Sequence, residues 1–324
     1  MIHCGDTRDV LPTLDAGSVQ CVVTSPPYWG LRDWGVDAQI GLEPTPDAYV
    51  ETLVEVFREV RRVLRDDGTM WLNLGDSYSQ VATARGKPYQ RHTTVRSQGW
   101  EGTKLAKRNI GRNQQPAKDN ADLKPKDLCM IPARVALALQ ADGWTLRSDI
   151  IWAKGVSFCD SYAGTVMPES VTDRPTQSHE HVFLLTKQAR YYYDADAVRE
   201  GLVDPTRKHD PSTEYDSMSV RHAGARGGYL RPPSGKRNLR NVWTINPANF
   251  SEAHFATFPM ALVEPCIKAG SRAGDTVLDP FAGSGTTGIV AARHGREFVG
   301  IELNPDYAKM AGDGIEGPLF ARTP

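Results

Sequence analysis

The sequence predicts a three-layer α/β fold: a largely parallel sheet with helices on both faces. Three observations lead there. The last third reads strand, glycine turn, helix, strand: Asp275 to Leu278, Asp279 to Gly285, Thr286 to His294 and Glu297 to Glu302. That is a βαβ unit. Near the front, the apolar run Gln20 to Thr24 stops at Ser25-Pro26-Pro27, and helical spacing follows. Between these regions, strand-length apolar runs and helical periodicities alternate.

The elements follow in chain order. Val and Cys in Gln20 to Thr24 suit a buried strand, which the prolines end. From Asp47 to Leu64 the residues Tyr49, Leu53, Val56, Phe57, Val60 and Leu64 share one helical face. Asp66-Asp67-Gly68 reads as a turn into a second strand, TMWLNLGD. Ile131 to Leu139 is helical again, with Pro132 in the first turn. Ser148 to Trp152 and His181 to Thr186 have strand character, and order returns at Val242 after an irregular stretch. No internal repeat is present.

The chain has 324 residues, 40% hydrophobic and 24% charged, with formal net charge -1. That is a globular balance, so nucleic-acid contact would need locally concentrated positive charge. Residues 81–126 hold 11 Lys or Arg against 3 acidic residues, and 201–240 hold 8 against 4. Both are rich in Gly and polar residues and read as irregular excursions. Cys4, Cys21, Cys129, Cys159 and Cys266 are scattered singly, which suggests neither a zinc site nor a disulfide framework. The first residues have no signal-peptide core, and no apolar run approaches a membrane span. The expected location is cytoplasmic.

Gly283, Gly285 and Gly288 satisfy GxGxxG at a strand-to-helix junction. Such glycines allow a tight turn and close ligand approach, and the helix amino terminus offers free N–H groups. Glu302 ends the next strand, where a carboxylate can accept from both ribose hydroxyls of an adenosine. NAD and S-adenosylmethionine share that adenosine. Asp279, at the tip of the first strand, would repel a pyrophosphate and welcome the ammonium of a methionine moiety. The same residues would also make a plain tight turn followed by a surface acid.

Thr24-Ser25-Pro26-Pro27-Tyr28-Trp29-Gly30 ends a strand with two rigid prolines. Prolines remove N–H donors, so carbonyls dominate, which suits a site that accepts hydrogen bonds from an amino group. Tyr28 follows, able to stack on a planar substrate. The alternative is a rigid turn packed under Tyr28 and Trp29.

TSPPYWG and DPFAGSGTTG together resemble the amino-methylating DNA methyltransferases. The order, catalytic motif first and cofactor motif last, resembles their circularly permuted β group. The resemblance covers nearly the whole chain, through KPKDLCMIPARVALALQADGW, SDIIWAK, MPESVTDRPTQSHEHVFLLTK, HFATFP and GIELNPDY. It implies a Rossmann-like methyltransferase fold that binds S-adenosylmethionine. It assigns Ser25, Pro26, Pro27 and Tyr28 to catalysis. It assigns Asp279, Phe281, Ala282, Gly283, Ser284, Gly285 and Thr286 to the cofactor turn. Glu302 and Asn304 fall in the ribose segment, Asp6 near the adenine, and Phe255 in the segment at the methionine end. Ser as first motif residue implies methylation of cytosine N4; adenine N6 is the alternative. A nicotinamide-dependent oxidoreductase on the same glycine turn is the rival from another class, and it leaves TSPPY unexplained. A decayed, non-enzymatic DNA binder is a third reading, which the intact motifs oppose.

The expected chemistry is direct in-line methyl transfer to a base flipped out of duplex DNA. The Ser25 hydroxyl and the Pro26 carbonyl would accept the amino hydrogens, and Tyr28 would stack on the ring. Pro265-Cys266 reads as helical and buried rather than as a nucleophile. His179-Glu180-His181 lacks a third ligand of matching spacing, so no metal site is expected. Double-stranded DNA is the expected partner. The contacts would come from Lys104, Lys107 and Arg108 in the first basic stretch, and from Arg221, Arg226, Arg231, Lys236 and Arg237 in the second. The expected organisation is a catalytic half over 1–80 and 127–193, a basic insertion over 81–126, a target-recognition region over 194–240 and a cofactor half over 241–324. A homodimer and a cognate restriction endonuclease are further expectations from the resemblance.

Overall fold

A computed structural model describes residues 1–31, 33, 35–36, 39–79, 123–160, 162, 164–166, 169–201, 236–247 and 258–316. Its strands are β1 (Ile2–Cys4), β2 (Val19–Thr24), β3 (Leu64–Leu74), β4 (Thr145–Ala153), β5 (His179–Thr186), β6 (Glu200–Gly201), β7 (Lys236–Arg237), β8 (Val242–Thr244), β9 (Thr276–Asp279) and β10 (Glu297–Glu302). Its helices, besides two short 3-10 turns, are α1 (Thr7–Val10), α2 (Pro46–Val63), α3 (Ile131–Ala141), α4 (Met260–Gly270), α5 (Thr286–Arg293) and α6 (Pro305–Glu316).

Eight strands form one sheet in the order β1-β10-β9-β2-β3-β5-β4-β8. Only the β3–β5 and β4–β5 pairings are antiparallel, so β5 alone runs against the other seven. β6 and β7 form a separate antiparallel ribbon. The carboxy-terminal unit β9-α5-β10 is slotted between the first two strands of the chain.

Alternation along the strands sends side chains into two cores, one on each face. Met70, Leu72 and Leu74 pack with Tyr49, Leu53, Phe57 and Val60 of α2 and with Val135 and Leu139 of α3. Trp71 and Leu184 point the other way, to Leu262, Val263, Cys266 and Ile267 of α4 and Val290 and Ala291 of α5. A sheet buried on both faces is the three-layer arrangement that the sequence predicts. α2 is set by its ends: Thr45 Oγ1 accepts from the Ala48 amide at 3.1 Å, Pro46 occupies the first turn, and Arg61 and Arg62 lie in the last.

One expectation needs correction. Asp66-Asp67-Gly68 is not a turn between helix and strand, because α2 passes directly into β3. The register with β2 jumps from Val19–Leu64 to Cys21–Thr69, so the polar residues form a bulge inside one long strand. The bulge is anchored, since the Asp67 carbonyl accepts from the Tyr192 amide at 2.8 Å and from Gln20 Nε2 at 3.3 Å. Among the described residues, no helix is long and apolar enough to cross a membrane.

α4 sits hard against the sheet at Gly270. A Cβ there would lie 2.4 Å from Thr69 Oγ1, 2.8 Å from Cys21 Sγ and 3.0 Å from Trp71 Nε1. Gly270→Ala is therefore expected to lower unfolding free energy by about 1–3 kcal/mol, the usual cost of overpacking a tight core. Denaturant titration of the two proteins measures it.

Candidate active site

The site forms where strand connections diverge. From β2 the chain crosses through α2 to β3 on one side; from β9 it crosses through α5 to β10 on the other. The carboxyl ends of β2 and β9 thus flank the switch point of the sheet, where open α/β folds bind ligands. Thr24 ends β2 and Asp279 ends β9. Thr24 Oγ1 donates to Asp279 Oδ1 at 2.7 Å, Thr287 Oγ1 to Oδ2 at 2.7 Å, and the Phe281 amide to Oδ1 at 3.0 Å. Asp279 is 1% exposed. Burial pushes its carboxyl up to about 6, against the pull of these three hydrogen bonds. Asp279 therefore ties the strand carrying one motif to the strand carrying the other.

Next comes the glycine turn. Gly283 and Gly285 adopt φ of +53° and +84°, which L side chains rarely occupy. A Cβ on Gly285 would also lie 2.9 Å from Ala311 Cβ in α6, whereas one on Gly283 would meet nothing within 4 Å. The backbone at Gly283 is therefore open to close approach. Its amide donates to Glu302 Oε2 at 2.8 Å, and the Asn304 amide to Oε1 at 2.9 Å. Burial pushes the Glu302 carboxyl up. Ala282 and Thr286 are buried and Phe281 and Ser284 half-buried. α5 starts at Gly285 with no side-chain cap.

β1 brings Asp6 to this end, because the Gly5 amide donates to the Glu302 carbonyl at 2.9 Å. Asp6 caps α1 and is gripped by the Arg8 guanidinium, with Nη2–Oδ2 at 2.5 Å. Burial pushes its carboxyl up, but the Arg8 hydrogen bonds and charge outweigh it and hold it below its usual range.

On the other side of the tie, Ser25 to Tyr28 leave β2. Pro26 is buried, and Tyr49 of α2 donates its hydroxyl to the Pro27 carbonyl at 2.8 Å. Ser25 Oγ lies 3.3 Å from the Tyr28 hydroxyl, which donates to Glu180 Oε2 at 2.6 Å. Asn73 Nδ2 donates to the same oxygen at 3.1 Å, and Lys154 Nζ donates to Oε1. Burial, then the Glu180 charge, push the Tyr28 phenol well above its ordinary value. Gly75 makes the room: a Cβ there would lie 2.6 Å from Tyr28 Cε2.

Sequence reasoning missed Glu180, Lys154, Asn73 and Gly75. One signal was available. His179 and His181 share a face, with ring centroids 5.3 Å apart, and His181 Nδ1 meets Asp149 Oδ1 at 2.9 Å. Strand alternation then directs the Glu180 side chain the opposite way. Among the described residues no cluster of three His, Cys, Asp or Glu could hold a metal. Cys266 lies on α4 beneath the sheet, where its thiol donates to the Leu262 carbonyl at 3.3 Å and burial pushes it well up.

The DNA-contact expectations fall mostly elsewhere. Lys104, Lys107, Arg108, Arg221, Arg226 and Arg231 lie outside the described residues, as does Phe255. Lys236 is exposed on β7, while Arg237 pairs with Glu200 at 2.9 Å.

The fold and this site define a class, and the DNA methylase family model matches residues 19–313. The chain belongs to the DNA methylase family, and the oxidoreductase alternative falls away. It is 46% identical over 314 residues to the type II methyltransferase M.Cfr9I of Citrobacter freundii, covering 97% of this chain and 86% of that protein. Identity to the type II methyltransferase M.SmaI of Serratia marcescens is 44% over 314 residues, covering 97% and 90%. In three dimensions the chain is similar to TTHA0409 of Thermus thermophilus, described as a putative DNA modification methylase and solved with S-adenosyl-L-methionine. That match has a TM-score of 0.56 and 26% identity, and covers 97% of this chain and 92% of that one.

Asp279 predicts a pH dependence. Unfolded, its carboxyl loses its proton near about 4; folded, it keeps it to about 6. Between these values the folded state binds more protons, so stability falls as pH rises through the window, by on the order of 2–3 kcal/mol. Asp279→Asn is expected to reduce the slope by the Asp279 share, leaving that of Glu302, as read from denaturant midpoints of both proteins across that window.

Proposed function

We propose that the protein transfers a methyl group from S-adenosylmethionine to the N4 amino group of cytosine in duplex DNA. The observation that carries this is the Thr24–Asp279 tie, which sets the Ser25–Tyr28 turn beside the glycine turn. Methyl donor and acceptor must meet in line, and two sites on adjoining strand ends allow that.

Glu302 accepts the ribose hydroxyls, while Asp6 and Asn304 lie toward the adenosine. Asp279, Phe281, Ala282, Ser284 and Thr286 form the wall of the turn, and Phe255 serves the methionine end. The Gly283 and Gly285 backbone carries the close approach. The target base leaves the stack, because its amino group is unreachable inside a duplex. Ser25 and the Pro26 carbonyl accept the amino hydrogens, localising the nitrogen lone pair, while Tyr28 stacks on the flipped base and Pro27 stiffens the turn. Ser25 as the first motif residue supports cytosine N4 over adenine N6.

The motif order matches the circularly permuted β group, and the slotting of β9-α5-β10 between β1 and β2 supports that assignment. The basic stretches over 81–126 and 201–240 supply phosphate contacts, with target recognition over 194–240. The division into a catalytic half (1–80, 127–193) and a cofactor half (241–324) follows the two motifs. The type II relatives support cytoplasmic work alongside a restriction endonuclease of the same specificity; a homodimer completes the proposal.

Nucleoside mass spectrometry after incubation with duplex DNA and methyl-deuterated S-adenosylmethionine is expected to find label in N4-methylcytosine. Label in N6-methyladenine would reassign the base. Label in no nucleoside of DNA would overturn the reading. Ser25→Ala is expected to lower kcat by about 100-fold with cofactor affinity intact, as for loss of one transition-state contact. Glu302→Ala is expected to weaken cofactor binding by ~10- to 100-fold in calorimetric titration, since charged hydrogen bonds are lost.

A further inference from the structure

We infer that Glu180, pinned by Lys154, is a positioning residue that sets the direction of the Tyr28 and Ser25 hydroxyls and so leaves the Ser25 oxygen free to accept a hydrogen from the target amine. The inference rests on the methyl transfer proposed above and extends it to residues outside both motifs.

Each proton in this chain of side chains has one place to go. A carboxylate paired with an ammonium only accepts. Glu180 Oε1 takes Lys154 Nζ, and Oε2 takes the Tyr28 hydroxyl at 2.6 Å and Asn73 Nδ2 at 3.1 Å. Asn73 Nδ2 also donates to the His181 carbonyl at 3.1 Å, which fixes the amide with its oxygen toward Tyr28. Tyr28 has a single hydroxyl proton and three acceptors in reach, Glu180 Oε2, Asn73 Oδ1 and Ser25 Oγ, of which only Glu180 carries a full charge and stands closer than 3.3 Å. The Asn73 oxygen, at 3.3 Å, is farther than Glu180 and carries no full charge. The proton therefore goes to Glu180, and the Tyr28 oxygen is left as an acceptor. Ser25 Oγ, 3.3 Å away, meets that oxygen as a donor. With its only proton spent there, Ser25 presents lone pairs to whatever enters the site.

That polarity is what an exocyclic amine requires. Its nitrogen offers hydrogens while its lone pair is delocalised in the ring, so the enzyme must present acceptors. A Ser25 proton turned the other way would set donor against donor. A neutral acceptor would hold the hydroxyl less firmly than the charge at the end of this chain does.

The frame is rigid. Asn73 lies on β3, Glu180 on β5, and Lys154 directly follows β4, so three adjacent strands hold the chain of bonds. The Lys154 and Glu180 side chains are only 24% and 14% exposed, so the pair is little screened by solvent.

The test is a set of variants read in three ways. Glu180→Gln cannot satisfy both Lys154 and Tyr28 with acceptor oxygens, so kcat is expected to fall about tenfold or more while cofactor affinity holds, with the thermal midpoint lowered because Lys154 loses its carboxylate. In a Tyr28→Phe background the same change is expected to cost less than about twofold, because the bond it acts through is already gone. Adding Lys154→Met to Glu180→Gln is expected to restore much of kcat, since the amide oxygen can then face Tyr28. Unchanged kcat in Glu180→Gln, or an equal loss with and without the Tyr28 hydroxyl, would overturn the inference.

A reading independent of activity comes from the carbon-13 resonance of the Tyr28 ring carbon bearing the hydroxyl, assigned by its absence in Tyr28→Phe. It is expected to move in Glu180→Gln, and a fixed resonance would sink the Glu180–Tyr28 bond itself. A wild-type protein that labels no DNA nucleoside while this resonance moves would remove the proposed reaction and, with it, the role for Ser25, leaving the bond as structural.

Discussion

The Asp279 carboxylate receives two threonine hydroxyls and one backbone amide, and the join between the two motif-bearing strand ends depends on this contact. Thr24 comes from the end of β2, Thr287 from the first turn of α5, and the Phe281 amide from the glycine turn. Three donors compensate the buried charge only in part, which is why its proton is held to about 6. The β2–β9 ladder sets the register of the two strands through Cys21–Val277 and Val22–Leu278, and the Thr24–Asp279 bond carries that spacing beyond the ladder to the strand ends where the motifs begin. With it, Ser25 begins one residue after a clamped threonine, and the glycine turn begins directly after a clamped aspartate.

From this tie the site spreads along the sheet in two directions with different chemistry. Toward β10 and β1 lie carboxylates that accept from backbone amides: Glu302, and Asp6 at the cap of α1. They suit a ligand rich in hydroxyl and amine donors. Toward β3, β5 and β4 lies a chain of side chains, Tyr28, Glu180, Asn73 and Lys154, whose donors and acceptors are matched among themselves. That side is built to hold hydroxyl groups in one orientation. Gly75 and Gly283 serve the two sides differently, the one by admitting the Tyr28 ring, the other by leaving backbone bare.

The long β3 shows how a local signal can be overruled. Asp-Asp-Gly has turn chemistry, and in an isolated segment it would reverse the chain. Here Met70, Leu72, Leu74 and Trp71 must enter cores on both faces, and β2 offers pairing on either side of the polar residues. The burial gained by keeping the strand continuous outweighs the turn preference, and the surplus residues become a bulge.

Elements with a periodic signal, and motifs whose residues adjoin in the chain, could be read from the order of amino acids. The α2 stripe, the βαβ unit around Gly283 to Gly288, and the Ser25 to Tyr28 turn were all legible, because local spacing and backbone chemistry dictate them. Which strands became neighbours emerges only from the folded sheet. β9 lies beside β2, with Thr24 and Asp279 255 residues apart in the chain, and β5 runs backwards to place Glu180 under Tyr28, 152 residues from it. Such pairings arise from burying both sheet faces at once, a condition no window of sequence contains. Asp279 could be read as an acid near a cofactor; that it is a buried tie between motifs became visible only when Thr24 stood 2.7 Å away.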